Sequence, residues 1–185
     1  MAMTRAIAFA AALMLAAGTS FADNPQPYAG LQNRPLKALS DEQLDDLKAG
    51  RGMRLALSAE LNGYPGPKHV LELATELNLT EPQRARTQQL YDAMKAEAVP
   101  LGQQLIAAEA DLDRQFSGRT ITPANLTAAS AKIGTMQGQL RAAHLKYHLS
   151  MMDVLTPGQI RRYGELRGYG AAPAGHSPGM HNHSK

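Results

Sequence analysis

Residues 79–117 read LTEPQRARTQQLYDAMKAEAVPLGQQLIAAEADLDRQFS, residues 118–121 read GRTI, and residues 122–159 read TPANLTAASAKIGTMQGQLRAAHLKYHLSMMDVLTPGQ. This stretch decides the fold. In its first part, apolar residues fall at Leu90, Met94, Ala98, Leu101, Leu105, Ala108 and Leu112, three or four apart. In its second part, Leu126, Ala129, Ile133, Met136, Leu140, Ala143 and Tyr147 repeat that spacing. Such a period puts one apolar stripe along an α-helix, close to a heptad seam. Only a short turn, Gly118 to Ile121, separates the two, so they must lie antiparallel as a hairpin. Pro100 removes one backbone donor inside the first helix and predicts a kink there.

Punctuation on either side extends the helical reading. Thr80 caps the first long helix, with Pro82 in its first turn where proline is tolerated. Thr122 and Pro123 open the second, and Thr156 with Pro157 opens a last short helix that ends near Gly168. Upstream, Ser40 to Gln43 is a capping box, and a helix follows to about Ala49, with Gly50 and Gly52 as a stop. Met53 to Leu61 resumes helically and closes at Asn62-Gly63, and His69 to Leu77 forms another short helix. No stretch alternates with the period of two that a half-buried strand needs. The expected fold is therefore all-α: a long antiparallel hairpin with short flanking helices.

Both ends of the chain read differently from the middle. One positive charge, Arg5, precedes an unbroken apolar run of 12 residues, Ala6 to Ala17, and Ser20-Phe21-Ala22 offers small residues at a cleavage point. That is the pattern of a secretory signal peptide, and the run is too short to span a bilayer. The expected organisation is a signal peptide over 1–22, an extended proline-containing arm over 23–38, a helical domain over 39–168 and a disordered His-rich tail over 169–185. The expected location is the periplasm.

Composition narrows the chemistry. The 185 residues contain no cysteine and no tryptophan, so disulfides, thiolate metal sites and thiol nucleophiles are excluded. A formal charge of +3 is too small a bias to imply nucleic acid. Glu76, Glu81, Glu97 and Glu109 are scattered along helix faces with no catalytic constellation, and there is no phosphate-cradling glycine loop, so an enzyme is not expected.

One short motif recurs. Leu79-Thr80-Glu81-Pro82-Gln83 and Leu155-Thr156-Pro157-Gly158-Gln159 share the form LTxxQ, and Leu39-Ser40-Asp41-Glu42-Gln43 is a serine version. Each is by itself a helix start: the hydroxyl caps, glutamine reaches back, and the preceding leucine packs as a staple. Two such copies flanking a long hairpin behind a signal peptide resemble the LTxxQ family of bacterial periplasmic stress proteins, the Spy/CpxP/ZraP-like group with its heavy-metal sensors. The resemblance covers roughly Asp41 to Gly168. It implies a cradle, often dimeric, in which the two LTxxQ segments (Leu79, Thr80, Gln83 with Leu155, Thr156, Gln159) meet at the hairpin base. It also implies ATP-independent binding of unfolded clients, restraint of a membrane stress-sensor kinase, or metal sensing. The additional region 23–67, with Leu39, Ser40 and Gln43, departs from that pattern.

Candidate metal ligands follow from spacing. His144, His148 and Met152 stand four apart and would line one face of the second long helix. Counting back from the turn, His144 and His148 oppose Tyr91 to Lys95, where Asp92 and Met94 stand, while Lys95 and Lys146 would repel a cation. In the tail, His176, His181 and His183 accompany Met180. Imidazole suits zinc, copper or nickel. No cofactor is required by the leading reading, a chaperone. The alternative is a periplasmic metal sensor or metal-binding protein. Arg161, Arg162, Glu165 and Arg167 read as a solvated charged face.

Overall fold

In a computed structural model, which describes residues 26–169, two long helices form the frame: α4 (Glu81–Ser117) and α5 (Pro123–Met151). They lie antiparallel across the turn at 118–122, and Arg119 turns the chain with a φ of 52°. Four short helices complete the order: α1 (Asp41–Ala49), α2 (Leu57–Glu60) and α3 (Pro67–Glu72) before the hairpin, and α6 (Pro157–Leu166) after it. No strand occurs among the described residues. The chain is all-α, as the spacing requires.

Burial follows the two expected seams, but not along their whole length. Leu90, Met94, Ala98, Leu105 and Ala108 of α4 and Ile133, Leu140, Ala143 and Tyr147 of α5 are buried. Leu101, Leu112 and Met136 are half-buried, and Leu126 near the tip is 40% exposed. A two-helix ribbon covers only one side of each stripe. The stripe closes only where a third layer is laid over it.

Residues 36–70 supply that layer. Lys37 pairs with Asp113 at 3.6 Å near the tip, and Leu47 of α1 is 2% exposed in a cluster with Ala98, Leu105 and Leu140. Gly50 then approaches Val99, Gly52 approaches His144, and Gly66 approaches His148. The segment thus runs down the hairpin from tip to base. Burying Leu47 stabilises this packing by roughly 1.5–3 kcal/mol. At the base, Val70, Leu77, Leu79, Leu90, Met151, Leu155 and Tyr163 form a second cluster that joins α3, α4, α5 and α6.

Three expectations need correcting. Helix does not resume at Met53: Met53 and Arg54 take φ values of 41° and 64°, and α2 begins only at Leu57. The short helix expected from His69 to Leu77 starts earlier, at Pro67, whose fixed φ suits a first helical position, and stops at Glu72. The arm is not simply extended: Leu31–Asn33 is a 3-10 turn, and Leu36 is 5% exposed. The helix α4 is continuous from Glu81 to Ser117 with Pro100 inside it. The proposed signal peptide, residues 1–22, and His176, Met180, His181 and His183 lie outside the described residues.

Candidate functional site

The two LTxxQ segments meet at the hairpin base, and their glutamines make the joint. Within each segment the cap is complete. The Thr80 hydroxyl accepts from the Gln83 N–H at 3.3 Å, while Gln83 Oε1 accepts from the Thr80 N–H at 3.0 Å. Thr156 and Gln159 repeat this at 3.3 and 2.9 Å. The amide nitrogens then cross over. Gln83 Nε2 donates to Gln159 Oε1 at 2.8 Å and to the Val154 carbonyl at 2.9 Å. Gln159 Nε2 donates to Gln83 Oε1 at 3.0 Å and to the Leu77 carbonyl at 3.2 Å. Leu79 and Leu155 are buried beneath this pair in the base core. The serine copy behaves otherwise: Ser40 and Gln43 form a capping box on exposed surface, and Leu39 packs on the middle core.

Above the joint, a cavity of about 450 Å³ opens between the loop after α1, the start of α3, and the facing sides of α4 and α5. Met94, Lys95, His144 and His148 line it, with Glu60, Arg167 and Tyr169 at one end. His144 is 2% exposed and its Nε2 has no hydrogen-bond partner. Burial, and then the neighbouring His148, hold its pKa below the usual imidazole value, so the ring is neutral at pH 7. His148 is fixed by its Nδ1, which donates to the Tyr64 carbonyl at 2.7 Å, because a carbonyl can only accept.

A buried carboxylate closes the end of this cavity. Glu60, 8% exposed, accepts from the Tyr163 hydroxyl at 2.5 Å and the Tyr169 hydroxyl at 3.2 Å. Arg167 pairs with the same oxygen at 3.4 Å, and His148 Nδ1 stands 3.7 Å from the other. Burial pushes the Tyr163 phenol far up, with the Glu60 carboxylate as the second cause. The cluster ties α2 to α6 across the end of α5. Arg167 is therefore part of a buried tie, and not of the solvated face expected from its neighbours, whereas Arg162 and Glu165 do pair on the surface at 3.0 Å.

The sequence-expected ligands are only partly brought together. His144, His148 and Met94 share the cavity. Met152, the half-buried C-cap of α5 with helical backbone, does not line this cavity, and Asp92 is exposed and engaged by Gln88 at 2.9 Å. Lys146 is turned to Glu97, at 2.5 Å, which also accepts from the Tyr147 hydroxyl at 2.9 Å. Among the described residues, no group of three or more His, Asp or Glu side chains converges on one point. The Nε2 edge of His148 abuts Gly66, where an added Cβ would sit 3.0 Å from that nitrogen. Five cationic side chains, Arg51, Arg54, Lys68, Lys95 and Arg167, line the cavity against the single carboxylate of Glu60. This donor set and this charge do not fit a resident metal ion at the histidine pair.

Sequence reasoning missed Glu60, Tyr163 and Gly66. Glu60 sits in a stretch, ALSAELNG, with no local feature that marks its carboxylate for burial. Tyr163, three residues after Ile160 on the last helix, carried a weak signal of an inward stripe.

A family profile described as heavy-metal resistance matches residues 55–162, more than half of the chain, and the chain belongs to that family. The match spans α2 to α6 and both LTxxQ segments, and agrees with the resemblance drawn from those motifs. No curated protein and no solved structure matches the chain. No helix among the described residues is long and apolar enough to cross a membrane.

Proposed function

We propose that the chain is an exported periplasmic protein that binds exposed apolar segments of unfolded or misfolded clients without nucleotide. One observation carries this reading. Toward its tip the hairpin leaves apolar side chains at its surface: Phe116 is 53% and Leu126 40% exposed, and Ile106, Leu112 and Met136 are only half-covered. Meanwhile the base is locked by the glutamine joint. A rigid base with an under-covered apolar ribbon offers a client a surface, and flexible Met136 adapts to varied partners. Binding should be modest, because a disordered client loses entropy when it is ordered. A second copy of the chain would cover the same ribbon, so a homodimer and a client compete for it. Restraint of a membrane stress-sensor kinase would use this surface as well.

The test is suppression of aggregation of a reduced, unfolding test protein, followed by light scattering, with the chain from residue 23 onward. Phe116→Gln with Leu126→Gln should weaken protection and leave the melting transition within about 0.5 kcal/mol, because both side chains are surface-exposed. A chain that leaves the scattering curve unchanged at molar excess overturns the reading. A zinc site that survives truncation after Gly170 and is lost in His148→Ala would replace it with metal sensing.

A further inference from the structure

The cavity between α4, α5 and the segment after α1 has no role in client binding at the distal hairpin. We infer that it is a binding site for a small organic anion with an apolar body, a medium-chain or aromatic carboxylate. Its volume of about 450 Å³ lies within the range of pockets that hold small molecules. Its apolar lining comes from Met53, Leu57 and Met94, with the ring of Tyr91 beside them.

Charge chooses the sign of the ligand. Three of the five lining cations have carboxylate partners: Arg51 pairs with Asp46, Lys68 with Glu72 at 3.6 Å, and Arg167 with Glu60 at 3.4 Å. Arg54 and Lys95 have no carboxylate within 4.0 Å among the described residues, and Lys95 rests over the Tyr91 ring at 5.9 Å. The lining holds five Lys or Arg side chains against one carboxylate, Glu60, which Arg167 pairs with, and a concave, partly apolar surface with a net positive charge raises the local concentration of anions. The buried polar group matches. His144 is 2% exposed, lines the cavity, and has an Nε2 without a partner. The Nδ1 edge of the ring faces Gly52 at the rim, where a neutral imidazole can present N–H for a carboxylate oxygen to accept while Arg54 and Lys95 balance the charge.

The conformation of the rim serves the same arrangement. Met53 and Arg54 are consecutive non-glycine residues at positive φ, 41° and 64°, and this turn carries both side chains to the cavity. Gly52, where an added Cβ would stand 3.9 Å from His144 Nδ1, lets the rim approach the imidazole.

Calorimetry with the chain from residue 23 onward, at pH 7.5 and low salt, tests the inference with three probes. Octanoate should bind one per chain, and 1-octanol and inorganic phosphate should each bind at least about tenfold more weakly, the first lacking charge and the second lacking an apolar body. Arg54→Asn with Lys95→Gln should weaken octanoate at least about tenfold; asparagine is chosen because it tolerates the left-handed backbone at that position. Octanol binding as tightly as octanoate, phosphate binding as tightly as octanoate, or a double variant that binds like the parent each overturns the inference. In the unaltered chain, octanoate should also shift the His144 imidazole resonances in NMR spectra, and His144 unmoved at saturation overturns it without any variant. These readouts do not involve the Phe116 and Leu126 surface, so they stand or fall separately from client binding.

Discussion

Glutamine, rather than glutamate, stands at the third helical position of both α4 and α6. Either residue completes a capping box through a side-chain oxygen. Only the amide also carries donors, and Gln83 and Gln159 use theirs to reach across to each other and to the Val154 and Leu77 carbonyls. Gln83→Glu keeps the local cap, loses the crossing donor, and sets a carboxylate against Gln159 Oε1 and the Val154 carbonyl. It should cost about 1–3 kcal/mol in urea unfolding, where a helix-start argument alone expects no change. Gln83→Ala and Gln159→Ala should couple in a double-mutant cycle by at least about 0.5 kcal/mol; strict additivity would show that the joint carries no energy.

His144 gives a pH signature at the same scale. Its pKa is lowered in the folded chain by burial and by His148, and the groups packed around it are Lys95 and Met94 of α4 and the loop at Gly52. The unfolded chain therefore binds the proton first. Its contribution to stability is full above the ordinary imidazole value of about 6.5 and is lost as pH falls below it. Melts of the parent should show this loss between neutral pH and the carboxylate range. His144→Gln should remove it, and a variant with the parent's pH slope would assign the loss elsewhere.

Among the elements, α1 depends on one absent side chain. Gly102 lies in the middle of α4, where glycine normally weakens a helix by about 1 kcal/mol relative to alanine. An added Cβ there would stand 2.4 Å from the Leu47 carbonyl oxygen of α1. The obstacle is backbone, so α1 would have to move off α4. Gly102→Ala should therefore destabilise by about 1–3 kcal/mol despite its better helix propensity. A stabilised Gly102→Ala would mean that α1 does not sit there in solution. The tie between α2 and α6 belongs to the same scale. Tyr163→Phe leaves the Glu60 carboxylate, already carrying one oxygen without a partner, short of a second bond. It should cost about 1–3 kcal/mol by thermal melting.

For the whole molecule, the division of labour runs along the hairpin. The base carries the joint, the buried tie and the cavity, while the tip carries the under-covered apolar ribbon. Removing the chain after Gly170 takes away His176, Met180, His181 and His183 and leaves every described residue in place. Client protection should be unchanged, because the ribbon lies upstream. Zinc binding by calorimetry at pH 7.5 should fall to background, because no group of three His, Asp or Glu side chains converges among the described residues that remain. A retained stoichiometric site would contradict the charge argument made for the cavity.

Local chemistry was written in the sequence, and it came out at the right residues. The bounds of α4, the threonine caps at 80, 122 and 156, and the inward residues from Leu90 to Ala108 follow from periodicity and hydroxyl spacing, which act over a few residues and need no partner. Three kinds of feature did not. The left-handed pair Met53–Arg54 is held by what the loop packs against, and no propensity marks methionine or arginine for that backbone. Glu60 is buried because Tyr163, Tyr169 and Arg167, over a hundred residues later, arrive to satisfy it. The histidine pair has ligand spacing on its helix. Yet its surroundings come from four separate stretches of chain, and among the described residues they bring cations and a covering glycine but no set of three His, Asp or Glu side chains converging with it. Spacing along one helix fixes which side chains share a face. What meets that face, and with what charge, is decided only when distant segments pack against it.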